Sequence, residues 1–185
     1  MAESARVPLM PVGTVVWLAS EVMFFSGLFG AYFALRAATP GPWPPAGVEL
    51  DPVVSGLFTG LLVASSASMQ LGVRALAAGR RTAFRRWLVV TVVLAAAFLG
   101  NQAHEWLTLS FSISSHPYGS AFYLMTGFHG LHVAGGMLAI LVLVGRAGSP
   151  RFGPDEVPAV ETVSYYWHFV DVVWVLLWAT LFLLG

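Results

Sequence analysis

A chain of 185 residues that is 57% hydrophobic and only 10% charged lies far from soluble domains, which carry about a quarter charged residues. Net charge is zero and Lys is absent, so no basic surface argues for nucleic acid as a partner. Cysteine is also absent, which excludes a disulfide framework, thiol catalysis and a thiolate metal site.

Five apolar runs of roughly 20 residues follow one another, each long enough to cross a hydrocarbon layer of about 30 Å. They fall near 13–35, 54–76, 87–107, 120–144 and 163–184. The fold class expected is an all-α membrane protein, a bundle of five transmembrane helices forming a single integral-membrane domain over residues 1–185. The first dozen residues hold one Arg and two prolines. The run after them is too long for a signal h-region and carries Glu21, so a retained helix is expected.

Between the first two runs lies Pro40-Gly41-Pro42-Trp43-Pro44-Pro45-Ala46-Gly47, a stiff extended connection followed by Glu49 and Asp51. The second run places Gly56, Gly60, Ala64, Ser68 and Gly72 four apart, a ridge of small residues suited to close helix packing. Arg74, Arg80, Arg81, Arg85 and Arg86 then crowd a short connection, which the positive-inside rule puts in the cytoplasm. Arg74, Arg80 and Arg81 are the candidate lipid contacts at that inner surface. Alternation puts the N-terminus with Arg6 inside, the Pro-rich loop outside, the connection with Arg146 and Arg151 inside, and the C-terminus outside. Arg36, at the outer end of the first run, is the exception.

The third run ends in Asn101-Gln102-Ala103-His104-Glu105-Trp106, read as a solvated helix end, and His116 in the uncharged loop beyond is read as exposed. Aromatic residues at the run ends are read as interfacial anchors: Trp87, Tyr165, Tyr166 and Trp167 at the inner face, Trp106, Tyr118, Phe122 and Tyr123 at the outer.

The fourth run contains Thr126-Gly127-Phe128-His129-Gly130-Leu131-His132-Val133. Its histidines sit at i, i+3, and Gly127 and Gly130 leave the helix thin enough for a neighbour to approach. Gly127, His129 and Gly130, with Gly56 and Gly60 of the second run, are the candidate packing motif. The fifth run contains Trp167-His168-Phe169-Val170-Asp171-Val172-Val173-Trp174, with His168 and Asp171 again at i, i+3. From the 1.5 Å rise per residue, Glu21, His132, His168 and Asp171 fall at roughly 8–18 Å from the inner face. An ionisable residue at that depth normally faces protein or a polar cavity. An unpartnered carboxylate there would be neutralised or would draw in water, so Glu21, His168 and Asp171 are expected to meet inside the bundle.

Three chemistries suit such a set. One is a carboxylate-bridged metal or haem site, against which stands the absence of paired Glu-x-x-His motifs. The second is a proton relay, and the third an interhelical cluster that only fixes packing. No nucleophile–base pair or glycine-rich phosphate loop is present, so no catalytic residue is assigned. No inverted repeat is evident either, which argues against a secondary transporter.

Several stretches together resemble subunit III of the haem–copper terminal oxidases: Trp17-Leu18-Ala19-Ser20-Glu21-Val22-Met23-Phe24-Phe25, Trp43-Pro44-Pro45, Tyr118-Gly119-Ser120-Ala121-Phe122, Thr126–Val133 and Tyr166–Trp174, up to the terminal Gly185. The resemblance implies a helical subunit of a cytochrome c oxidase without a redox centre or metal of its own. It would lie beside subunits I and II, which hold the haem and copper that reduce dioxygen to water. It further implies a role in sustained proton uptake, phospholipid binding and protection of subunit I, with the family's buried acid falling on Glu21. The five-helix bacterial form is implied, in the plasma membrane of an aerobic cell, with a respiratory supercomplex as a further assembly. Quinol oxidase relatives tend to carry Asp where this chain has Glu21, which favours the cytochrome c branch. A quinol oxidase subunit III, a nitric oxide reductase accessory protein and an unrelated multi-helix transporter are the alternatives.

Overall fold

The computed structural model describes residues 9–149 and 152–184. Arg6, Arg151 and Gly185, which carry topological or family meaning in the sequence reading, lie outside the described residues. Among the described residues five helices make up the architecture: α1 Leu9–Ala38, α2 Pro52–Ala77, α3 Arg81–Thr108, α4 Pro117–Arg146 and α5 Val157–Trp178. A short 3-10 turn, Pro154–Glu156, leads into α5, and a π-helical turn, Ala179–Leu183, ends it. All five are long and apolar enough to cross a membrane, and each begins two to six residues ahead of its apolar run. Those extra residues are turns that carry the caps and arginines.

The helix starts follow from local chemistry. Asp51 Oδ1 accepts the backbone N–H groups of Val53 and Val54 at 2.9 and 3.0 Å, satisfying two of the orphan donors of α2, and Pro52 supplies a preset first position. His116, expected to be merely exposed, caps α4: its Nδ1 accepts the Gly119 N–H at 2.8 Å, ahead of Pro117. The α2–α3 connection turns within Ala78–Arg80, where Gly79 takes φ +70°, a left-handed value costly to any residue with a Cβ.

Helix α5 is the hub. It packs on α1, α2 and α4, while α2 pairs with α3 and α4 with α3 and α1. Half of its apolar window is buried, against 11% for α1, which lies along one flank. Helices α4 and α5 meet at a glycine. A Cβ on Gly136 would lie 2.8 Å from Trp167 Cε3, so only glycine fits there.

Several aromatic residues read as interfacial anchors belong instead to the core. Trp167, Tyr118 and Phe122 are fully buried and Tyr166 nearly so, while Trp87 and Tyr165 are exposed as expected. The buried rings are kept because their polar ends find partners: Trp167 Nε1 donates to Ser65 Oγ at 2.9 Å, and Tyr118 Oη donates to the Leu181 carbonyl at 3.0 Å. Trp43 folds back from the Pro-rich loop to donate to Tyr32 Oη at 2.9 Å, tying that loop to the core.

The small-residue ridge of α2 divides. Gly72 faces Phe84, Trp87 and Leu88 of α3, and Ser68 shares a 2.7 Å hydrogen bond with Thr91. Gly56 abuts Trp178 of α5. Gly60 and Ala64 are exposed, because a four-residue step drifts around a helix of 3.6 residues per turn and carries the ridge off the contact. On α4, Gly127 takes the ring of Trp106, while Gly130 has nothing within contact distance.

Candidate functional site

The membrane-depth ionisable residues form two clusters, not one. In the first, α1 and α4 bring Glu21 Oε2 to 3.0 Å from His132 Nε2. The other ring nitrogen, Nδ1, lies 2.7 Å from the Phe128 carbonyl. A carbonyl only accepts, so Nδ1 carries a hydrogen. One proton then lies on the line between Nε2 and the Glu21 carboxyl. It sits on the acid, facing a neutral imidazole, or on the imidazolium, facing a carboxylate. Either way the pair is neutral as a whole, which suits its depth.

Aromatic rings close around this pair. Phe25 meets the His132 ring edge-on at 5.0 Å and Phe24 lies 6.1 Å away, itself against Phe128. Tyr166 Oη donates to the His132 backbone carbonyl at 3.0 Å, and its ring stacks on Trp17 at 4.9 Å. About a fifth of each ionisable side chain remains accessible.

The second cluster joins α2 and α5. Ser66 Oγ is hydrogen-bonded to Asp171 Oδ2 and lies 2.9 Å from His168 Nδ1, so one hydroxyl bridges acid and base. When Ser66 donates to Asp171, its oxygen accepts from Nδ1–H. When the carboxyl carries the proton and donates to Ser66, the hydroxyl donates to Nδ1. Reversing these two bonds moves a proton between acid and base. Gln70 Oε1 stands 3.5 Å from His168 Nε2. Asp171 is 5% exposed, and its Oδ1 has no hydrogen-bond partner among the described residues.

Glu21 therefore does not meet His168 and Asp171. Tyr166 and His168 are two positions apart on α5, about 200° around the helix, so one side reaches His132 while the other reaches Ser66. Position along each helix can be counted in the sequence; direction around it cannot. Ser66, Gln70 and Tyr166 complete the clusters; Ser66 and Gln70 were not singled out, and Tyr166 was read only as an interfacial anchor. Consecutive serines, Ser65 and Ser66, in the middle of an apolar run were the available signal for the first of these.

His129, one turn from His132, is fully buried between Phe98 and Trp174, with ring centroids 6.0 and 4.8 Å away. Neither ring nitrogen has a hydrogen-bond partner among the described residues. No three His, Asp or Glu side chains converge as a metal ligand set among the described residues.

At the other surfaces, Glu105 accepts from Gln102 Nε2 at 3.3 Å and, with Glu49, Asp51 and His104, borders a recess of about 380 Å³. At the arginine end, Arg74, Arg80, Arg85 and Arg86 are exposed. Arg81 donates to the Ser149 carbonyl at 3.1 Å, and Arg146 pairs with Glu156 at 2.9 Å.

These elements can be set beside known proteins. A family profile described as Cytochrome c oxidase subunit III matches residues 6–185. A Nocardia farcinica protein, named as a probable cytochrome c oxidase subunit 3, is 46% identical over 180 residues, covering 96% of this chain and 89% of the relative. The cytochrome c oxidase subunit 3 of Corynebacterium diphtheriae is 41% identical over 182 residues, with the same coverage. That of Thermostichus vulcanus is 38% identical over 174 residues, covering 94% and 86%. The chain belongs to the cytochrome c oxidase subunit III family.

Proposed function

We propose that the chain is the subunit III of a proton-pumping cytochrome c oxidase in a bacterial plasma membrane, assembled as one membrane domain with subunits I and II. It carries no redox centre; the haem and copper that reduce dioxygen belong to its partners. The observation that carries this reading is the near full-length match to oxidase subunits of the same name. Five apolar helices and two proton-holding clusters at membrane depth accord with it.

Its contribution would be to sustain proton uptake and to stabilise subunit I within a shell of phospholipid. Glu21 and His132 are the candidate proton-holding pair, with His168 and Asp171 forming a second polar cluster. The exposed Arg74 and Arg80, with Arg81, would meet anionic headgroups on the cytoplasmic side. That places the N-terminus inside and the C-terminus outside. A respiratory supercomplex is a further assembly consistent with the family.

Native extraction tests the assignment. Haem-bearing and copper-bearing chains are expected to co-purify with this one, and a preparation free of both would sink it. Orientation is tested in the cysteine-free background. A cysteine at Ala83 should be shielded from an impermeant thiol reagent in intact cells and one at Ala46 should react; the opposite pattern would reverse the topology.

A further inference from the structure

Between α2 and α5 a recess of about 350 Å³ opens at the surface, lined by Val63, Ser66, His168, Asp171, Val172, Val175 and Leu176. Three of its seven walls are polar, and one of these is the carboxyl whose Oδ1 is buried without a donor among the described residues. Asp171 stands about 20 Å along the axis from either end of the helical run Val157–Leu183, which puts it near mid-bilayer. Beside the recess, α2 exposes Gly60, Ala64 and Ala67, spaced i, i+4, i+7 on one helix face. Val63 is 48% exposed and Val172 60% exposed.

We infer that this α2–α5 flank receives a transmembrane helix of another polypeptide of the oxidase, which lies along the Gly60–Ala67 ridge and brings a side-chain hydrogen-bond donor to Asp171. The inference rests on the reading of the chain as an oxidase subunit. A small-residue ridge lets a second backbone come close, and packing drives helix association in lipid. The carboxyl oxygen adds a requirement that packing alone does not. An acyl chain has no donor, and headgroup donors lie at the interface, far from Asp171. A second copy of this chain does not answer either. A two-fold contact would set Asp171 against its own flank, where Ser66 and His168 are already engaged with one another and with Gln70, and the remaining walls are apolar.

The groove between α3 and α4 provides the contrast. It measures about 450 Å³ and is lined by Trp106, Tyr123, Gly127, Phe128, Gly130 and Leu131, among others. No unpartnered buried polar atom lies among those six. Hydrocarbon suffices there.

The test uses the assembled oxidase. A photo-crosslinking amino acid is placed singly at Ala64, at Val172 and, for contrast, at Leu131. Adducts from Ala64 and Val172 to a different polypeptide are expected, with lipid adducts from Leu131. Adducts only to lipid, only to a second copy, or none from either flank position would overturn the inference. Ala64→Phe provides an independent readout, because Ala64 is exposed and the isolated chain should stay folded. Loss of this subunit from the purified complex is expected; retention at the unsubstituted level would also overturn it. Failure of the unsubstituted chain to co-purify with haem-bearing chains would instead sink the oxidase reading itself.

Discussion

The Glu21–His132 pair and the Asp171–Ser66–His168 cluster use the same residue types at similar depth, yet they are built differently. In the first, the acid and base touch directly, the far ring nitrogen is satisfied by Phe128, and aromatic rings pack around the pair. In the second, a hydroxyl stands between acid and base, and one carboxyl oxygen is left without a donor. The first can hold a proton without help from outside the chain. The second is incomplete within the chain and borders an opening. A membrane-depth acid therefore does not announce its role by depth alone; what decides is whether the fold itself satisfies it.

The sharpest break in this comparison lies in the helix contact that keeps the two clusters on separate faces of α5. Gly136→Val would drive a side chain into Trp167, which is fully buried and cannot retreat. Overpacking of this kind costs about 1–3 kcal/mol, and here backbone separation is the only relief. Tyr166 would be drawn off the His132 carbonyl, so the first cluster should loosen while Ser66 and Asp171 stay joined. Thermal unfolding in detergent should show a large loss for Gly136→Val. Gly130→Ala, into open space, should be neutral or stabilising by up to about 1 kcal/mol. Equal effects at the two glycines would remove the α4–α5 contact as the organising one.

A smaller effect separates the clusters themselves. Ser66→Ala removes the bridge, leaving Asp171 with no hydrogen-bond partner and His168 with only the long contact to Gln70. Intramembrane hydrogen bonds average about 0.6 kcal/mol and reach about 1.7, and two are lost here, so roughly 1–2 kcal/mol of subunit stability should go. Asp171→Leu in the same background should recover much of that loss, because an orphaned acid costs more than an apolar side chain. A double-mutant cycle read by unfolding checks it; strict additivity would show that the cluster is not coupled. Trp174→Phe, which loses only the 2.9 Å bond to Thr59 and keeps most of the ring against Phe98, should cost about 0.6 kcal/mol beyond the change in ring size.

Much of this was legible before the structure, and the limits are physical. The five helices follow from run length alone; their starts lie two to six residues ahead of the apolar runs, by two or three where Asp51 and His116 cap α2 and α4 and by six at α3 and α5. The ionisable residues of the site stand out because charge is so rare in these runs. Their pairing was not legible: Glu21 was expected with His168 and Asp171, whereas helix rotation gives it His132. Hydrophobic periodicity normally supplies that rotation, but runs apolar on every side carry almost none. The same lack misplaced Trp167 and Tyr118, since a ring near a helix end can turn outward to the interface or inward to a buried partner such as Ser65 or the Leu181 carbonyl. Ser66 was overlooked because small hydroxyl residues in an apolar run are ordinary until their partners are seen.

The smallest expected change in stability is also the one that bears most directly on function. Glu21→Gln keeps the shape of the side chain and offers an amide N–H to His132 Nε2, whose far nitrogen still donates to Phe128. Unfolding should therefore shift by no more than about 0.5 kcal/mol, the range of a substitution that leaves its contacts in place. The proton on the line between the two groups then belongs permanently to the amide. If this pair feeds protons onward, the assembled enzyme should turn over and pump less well, and the deficit should grow as pH rises and protons become scarce. Glu21→Leu differs in kind, because it abandons His132 and should weaken attachment of the subunit as well. The measurement is turnover and proton pumping against pH for the Gln variant, with subunit content verified in the same preparation. Unchanged pumping across the range would leave Glu21 as a packing residue, and the direct acid–base contact would then have no advantage over the bridged one.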